Sequence, residues 1–299
     1  MKTILAAALM TTAMVATAQA QEPIKEFRIG ILGGENAQDR INENQCLVTY
    51  FQKLLGVPVK LYTPADYNGV IQGLLGGTID FAGLGASGYA KTYVENPNAV
   101  EPVLTTANPD GSYVYYSIGF ARKDSGIKTL ADAKGKVFGF GDPNSTSGYL
   151  IPSIEIPAKL GQPMDKFFGQ VKFTGGHEQT IVAVYNKSID AGVTWADGQG
   201  RWEDGFNNGA LRKAVDAGLI DMNNLVEIWR SKPIPNGPWV LRTALPQDVK
   251  TKVVAFLKDL NKTDKKCLYN IAGGESAGLV PITKDYYDSI IAVRRAKSN

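Results

Sequence analysis

Three hydroxyl residues in a row, Ser145-Thr146-Ser147, stand between Asp142-Pro143-Asn144 and Gly148. Upstream, Val137-Phe138-Gly139-Phe140-Gly141 reads as a strand, and downstream Tyr149-Leu150-Ile151 and Ser153-Ile154-Glu155-Ile156 read as a helix. A strand running into hydroxyls at a helix start offers unpaired backbone N–H groups, the positive end of the helix dipole and O–H donors, which is what an anion needs. Gly148 carries no side chain, so a ligand could come close to the backbone. The same residue types are ordinary N-caps, and the stretch also fits a capped helix that binds nothing. Pro152 and Pro157 each remove a donor and should kink this helix or end it early.

Other reactive groups are few. His177, the only histidine, follows Gly175-Gly176 and opens a second helix with Glu178-Gln179-Thr180. Such a residue is either structural or a donor aimed at a ligand. One histidine and two cysteines do not make an ordinary zinc site, and Glu203-Asp204 reads as solvated loop charge. Gly83-Leu84-Gly85-Ala86-Ser87-Gly88 fits the dinucleotide pattern G-x-G-x-x-G. The helix that follows is short, Asp80 lies inside the preceding strand, and an exported protein rarely meets nicotinamide cofactors, so a glycine-rich turn at the mouth of a cleft is the better reading. Gly274-Glu275-Ser276-Ala277-Gly278 fits G-x-S-x-G, but an esterase triad needs its histidine after the serine. His177 precedes it, which leaves a surface loop. No cofactor is expected.

The elements that would position these groups alternate. Phe27–Leu32, Val57–Tyr62, Ile79–Ala82 and Val100–Thr106 read as strands, with helices at Gln45–Leu55, Asp66–Leu75 and Tyr89–Glu95 between them. This order predicts an α/β domain with a mainly parallel sheet, whose ligands gather at the carboxyl ends of the strands. Tyr113–Arg122 is a long strand that should leave the first domain for a second. That second unit contains a helix at Leu130–Lys134, the hydroxyl turn, a strand at Val171–Phe173, the helix near Glu178 and a strand at Ala191–Trp195. Ser231–Pro238, held extended by its prolines, should cross back, and Gln247–Leu260 and Asp285–Arg294 would be helices of the first domain.

Met1-Lys2, the apolar run from Ile4 to Met10 and the ending Ala18-Gln19-Ala20 describe a cleavable export leader, Met1–Ala20. No cysteine at its end suggests a lipid anchor, and no later run is long enough to span a membrane, so a protein free in the periplasm or secreted is expected. The 299 residues, 44% hydrophobic and 20% charged, suit about two domains. The formal charge of +3 falls to +2 without Lys2, which makes nucleic acid an improbable partner. Cys46 and Cys267 would meet an oxidising compartment; a disulfide is favoured over two separate buried thiols.

Taken together, Asp142 to Tyr149, Gly176-His177-Glu178 and Asp66-Tyr67-Asn68-Gly69-Val70-Ile71-Gln72-Gly73 resemble, in order and spacing, the phosphonate-binding periplasmic proteins of ABC importers, the PhnD type. The resemblance runs from Arg28 to about Tyr286. It implies a type II periplasmic binding protein: two α/β lobes joined by two crossing strands, with a ligand cleft between them. Residues 21–115 would form the first lobe, 116–234 the second, and 235–299 would return to the first. It further implies a monomer, not an enzyme, that passes a phosphonate to a membrane permease and its ATPase.

Carried over, the resemblance assigns Ser145, Thr146 and Ser147 to the phosphonate oxygens, with Tyr67, Tyr115 and His177 as further donors. Asp197 falls where one of two acidic residues holds the amine of 2-aminoethylphosphonate in some members. The other position, within Pro235-Asn236-Gly237-Pro238, is Gly237 here. Trp195 and Trp239 either flank the organic substituent or pack in the protein. Neutral donors and a helix terminus would hold the oxyanion with no buried Lys or Arg. The competing reading is a secreted enzyme acting on small phosphorylated or phosphonylated molecules, with His177 as acid or base.

Overall fold

A computed structural model describes residues 23–34 and 36–298. The leader Met1–Ala20 and its cleavage site lie outside the described residues. In chain order the strands are β1 (Phe27–Gly30), β2 (Val59–Tyr62), β3 (Phe81–Gly83), β4 (Val100–Ala107), β5 (Val114–Arg122), β6 (Val137–Phe140), β7 (Gln170–Phe173), β8 (Ala191–Ala196), β9 (Leu225–Arg230), β10 (Ile234–Pro235), β11 (Pro238–Arg242) and β12 (Gly278–Pro281). The helices are α1 (Ala37–Leu55), α2 (Tyr67–Leu75), α3 (Ala86–Glu95), α4 (Pro152–Leu160), α5 (Met164–Phe167), α6 (His177–Tyr185), α7 (Ala210–Asp216), α8 (Gln247–Thr263), α9 (Lys265–Ala272) and α10 (Asp288–Ser298).

One sheet runs β12-β4-β11-β3-β1-β2; the other runs β10-β5-β8-β6-β7, with β9 also paired to β5. The first sheet is mixed rather than mainly parallel. β1 is parallel to β2 and β3, but β11 runs antiparallel to β3 and β4, and β12 antiparallel to β4. The cause lies late in the chain: the return crossing delivers β11 between β3 and β4, so Val100–Ala107 is one place further out than strand alternation implies. The two crossings lie side by side, with Ile234 and Pro235 paired antiparallel to Tyr115 and Val114. The architecture is that of a type II periplasmic binding protein, two α/β lobes with a cleft between.

Caps decide where several helices begin. Asn36 accepts from the amides of Gln38 and Asp39, so α1 starts at Ala37, well before the apolar spacing at Gln45 becomes visible. Its buried face, Leu47 and Phe51, packs with Phe27, Ile29 and Phe81 and against α8 and α9. The other face of this sheet is covered by α2, α3 and α10 around Val70, Leu74, Tyr89 and Tyr287. Asp80, just ahead of β3 rather than within it, is almost fully buried and paired with Arg28 at 2.7 Å and Arg242 at 2.9 Å. That pairing ties β1 and β11 to the β3 entry. A Cys46–Cys267 disulfide joins α1 to α9. Leu130–Ala133 is a short 3-10 turn rather than an α-helix, and α10 begins only after a 3-10 turn at Lys284–Tyr287.

Candidate ligand cleft

Between β6 and α4 the chain makes one π turn, Thr146–Leu150. Leu150 N donates to Ser145 O at 3.0 Å and Ile151 N to Thr146 O at 2.9 Å. Pro152 has no N–H to continue an α ladder back into this turn, so α4 begins afresh with proline in its first position. Pro157 lies inside α4 and does not end it; the helix closes at Gly161. Ser145 is the N-cap, its Oγ accepting from Gly148 N at 3.0 Å. A Cβ on Gly148 would lie 2.7 Å from that Oγ and 3.1 Å from the His177 ring, so only glycine leaves room here.

Neighbours hold the turn from both lobes. Ser117 Oγ of β5 donates to Ser147 O at 2.7 Å, and Ser87 N at the start of α3 donates to Thr146 Oγ1 at 2.8 Å. The Asp142 carboxylate accepts from Asn144 N at 2.6 Å and, across the cleft, from Tyr67 N at 3.2 Å. Burial raises the Asp142 pKa, and these backbone bonds oppose the rise. Gly34 and Gly176 meet backbone to backbone, which brings the α6 start against the first lobe.

Every residue proposed from sequence lines one cavity of about 260 Å³: Tyr67, Tyr115, Ser145, Thr146, Ser147, His177, Trp195 and Asp197, and Gly237 and Trp239 as well. His177 opens α6 with Nε2 3.2 Å from Ser145 Oγ and Nδ1 3.3 Å from Thr194 Oγ1, so its two nitrogens are each within reach of a hydroxyl. The Tyr115 phenol is buried, which raises its pKa, against hydrogen bonds from Ser147 and Thr146. Asp197, just past β8, is 2% exposed. Its Oδ1 accepts from Gln199 N at 3.2 Å, and its Oδ2 is buried with no protein partner. Burial pushes its pKa up to about 6, opposed first by the backbone bond from Gln199.

Trp195 meets the Tyr115 ring edge to face at 5.8 Å. Trp239 stacks on Phe81 at 5.4 Å and so belongs to the core of the first lobe as well as to the cavity wall. At Gly237 a Cβ would fall 1.9 Å from Leu84 O, so the backbone there excludes any side chain, acidic or not. Gly83 ends β3, Leu84 and Gly85 link it to α3 in the cavity wall, and Ser87 and Gly88 already belong to α3. The Gly274–Gly278 segment is a surface loop, exposed at Glu275 and Ala277, whose first end is anchored to the second lobe: Gly274 bridges to Asn208, and Gly209 N donates to Gly273 O at 3.0 Å.

Sequence reasoning missed several wall residues, among them Arg40, Glu43, Lys213, Asn208 and Asn270. They are polar residues on α1, α7, α9 and one loop, with no motif to single them out, and only folding brings them to the cleft. Two of them correct the expectation of a wall without Lys or Arg. Lys213 Nζ pairs with Glu43 Oε2 at 2.9 Å across the lobes, and Arg40 is buried with Nη1 on backbone carbonyls. Among the described residues no group of three or more His, Cys, Asp or Glu side chains is arranged to hold a metal ion, and no helix is long and apolar enough to cross a membrane.

Residues 29–287 match the family described as ABC transporter, phosphonate, periplasmic substrate-binding protein. The chain is 31% identical over 257 residues to the phosphonates-binding periplasmic protein of Escherichia coli strain K12, covering 85% of this chain and 71% of that one. It is 27% identical over 276 residues to the phosphate-import protein PhnD of Mycolicibacterium smegmatis, covering 88% of this chain and 83% of that one. The structure is similar to that of a binding protein component of an ABC phosphonate transporter from Pseudomonas aeruginosa, with a TM-score of 0.77 and 28% identity over 91% of this chain and 86% of that one.

Proposed function

This chain belongs to the family of periplasmic substrate-binding proteins of ABC phosphonate transporters, and we propose that it captures a small phosphonate in its cleft and delivers it to a membrane permease driven by an ATPase. The observation that carries this reading is the convergence of the 145–147 hydroxyls and amides with Tyr67, Tyr115 and His177 on one cavity. In this reading Ser145, Thr146 and Ser147 take the phosphonate oxygens, His177 donates from the second lobe, and the two tyrosines donate from the first lobe and the crossing strand. Charge-assisted hydrogen bonds contribute about 1.5–3 kcal/mol each. Four or five of them, after ordering and desolvation losses, correspond to affinities of roughly micromolar to nanomolar. Release follows when the lobes part and the bonds from one of them break.

The substituent on phosphorus is proposed to carry an ammonium, as in 2-aminoethylphosphonate. Support comes from Asp197 Oδ2, a buried acceptor with no protein partner, and from the Trp195 ring beside it in the same wall. With Gly237 unable to carry a carboxylate, Asp197 is the proposed partner of the amine. The protein is taken to act as a monomer in the periplasm after removal of Met1–Ala20, and to bind its ligand without turning it over.

The test is calorimetric titration with methylphosphonate, 2-aminoethylphosphonate, phosphite, phosphate and sulfate. Phosphate is the informative competitor, because one relative is a phosphate-import protein. Phosphonates should bind at least about tenfold more tightly than phosphate or sulfate. Phosphate binding as tightly as any phosphonate would overturn the assignment, and so would recovery of a cleaved ligand after long incubation.

A further inference from the structure

Arg40 is the fourth residue of α1, 5% exposed, and part of the wall of the ligand cavity. Its Nη1 donates to Leu32 O at 2.8 Å, Pro64 O at 3.3 Å and Ile31 O at 3.4 Å. These carbonyls follow the carboxyl ends of β1 and β2. The guanidinium therefore clamps together the two turns that lead to Gly34 and to Tyr67. Its Nε is buried with no acceptor. Glu43, one helical turn further along α1, is engaged by Lys213, and among the described residues no carboxylate forms an ion pair with Arg40.

A guanidinium taken out of water onto neutral carbonyls, with no carboxylate at ion-pair distance, is left with an unpaid part of its desolvation cost. Salt-bridged arginines elsewhere in the chain do not share this condition: Arg28 and Arg242 both hold Asp80. Resting on the phosphonate reading, we infer that Arg40 is a counter-charge of the cleft for a doubly charged oxyanion, set in a wall that also holds the Asp197 carboxylate and the Lys213–Glu43 pair. It works through the field across the wall and through the turns it clamps, so it is a positioning and charge-selecting residue. Its effect is to favour dianions over monoanions of the same shape, a preference that neutral hydroxyls and amides supply only weakly.

The experiment compares methylphosphonate with methanesulfonate, tetrahedral ligands differing by one charge, titrated calorimetrically above the second ionisation of the phosphonate. Wild-type protein and Arg40→Lys should prefer the dianion by at least about 100-fold, and Arg40→Gln should reduce that preference at least about tenfold. A loss of clamp geometry alone would weaken both ligands together and leave the ratio unchanged, which would overturn the inference. It also falls if Arg40→Lys loses the ratio as fully as Arg40→Gln, or if wild-type protein binds the two ligands about equally. Should Arg40→Gln not fold, Arg40→Met is read in its place. Failure of both neutral variants to fold would make the cation a requirement of the empty protein, contrary to the inference. Wild-type protein that binds neither ligand refutes the phosphonate reading instead.

Discussion

Substituting Gly176 with alanine tests whether closure of the cleft is what holds the ligand. The new Cβ would lie 2.2 Å from Gly34 Cα and 2.4 Å from Gly34 O, on the opposite lobe. Carbon atoms pack no closer than about 3.5 Å, so the backbones must separate by roughly 1.3 Å at this point. Gly176 has φ of 179°, extended backbone that alanine adopts freely, and the penalty is therefore steric contact across the cleft rather than local strain. The bonds Ser87 N to Thr146 Oγ1, 2.8 Å, and Tyr67 N to Asp142 Oδ2, 3.2 Å, cross the same cleft. Opened by that amount, both would exceed about 4 Å and cease to be hydrogen bonds. A phosphonate would likewise lose contacts from one lobe. One charge-assisted bond, at about 1.5–3 kcal/mol, corresponds to roughly 10- to 150-fold weaker binding. The assay is titration calorimetry with methylphosphonate alongside melting of the ligand-free protein. Binding should fall by that factor while the ligand-free melting temperature stays close to wild type, since open lobes do not make the contact. Binding within about twofold of wild type would refute the argument, as would a ligand-free melting loss equal to the binding loss.

Further outcomes follow from the same geometry. Replacing Ser145 and Thr146 together with alanine should weaken phosphonate binding at least about tenfold, and unchanged titrations would remove the π turn from the site. Asp197 is an acid whose pKa is raised in the fold, so the native state holds its proton above the ordinary carboxylate range, and stability declines as pH rises through that range towards about 6. Asp197→Asn should therefore melt higher than wild type without ligand at neutral pH, with the difference vanishing in acid. It should also lose any preference for 2-aminoethylphosphonate over methylphosphonate. A difference in melting that is independent of pH would contradict the assignment. The Cys46–Cys267 bridge spans 221 residues. Loop-closure entropy puts its contribution at about 5 kcal/mol at most, and reduction should lower the melting temperature by up to roughly 10 °C. No change in melting, with both thiols shown to be free by labelling, would count against that.

How much of this was legible beforehand varied with the range of the interaction. The hydroxyl turn, the glycine turn ahead of His177 and the proline-rich crossing at Ser231–Pro238 are local features, because caps, proline and glycine act within a few residues. Pro152 did split the helix it appeared to interrupt, though the wide turn ahead of it has no sequence pattern of its own. The sheet order was misread because β11 pairs with β3 and β4 across more than a hundred residues, and strand alternation says nothing about where a returning strand will dock. Asp80 reads from sequence as part of a strand, and nothing near it in the chain shows that Arg28 and Arg242 close on it.

The amino-acid order by itself determined the export leader as an expectation, the two-lobed α/β class, and the hydroxyl, tyrosine and histidine candidates, since each depends on residue type and near neighbours. Only the tertiary structure decided that Gly34 and Gly176 abut, that Gly237 admits no side chain, that Asp197 keeps an oxygen without a protein partner, and that Arg40 stands in the cavity wall. These are properties of space and solvent exclusion. They come into being when segments distant along the chain are packed within van der Waals contact, and no pattern in either segment alone encodes them.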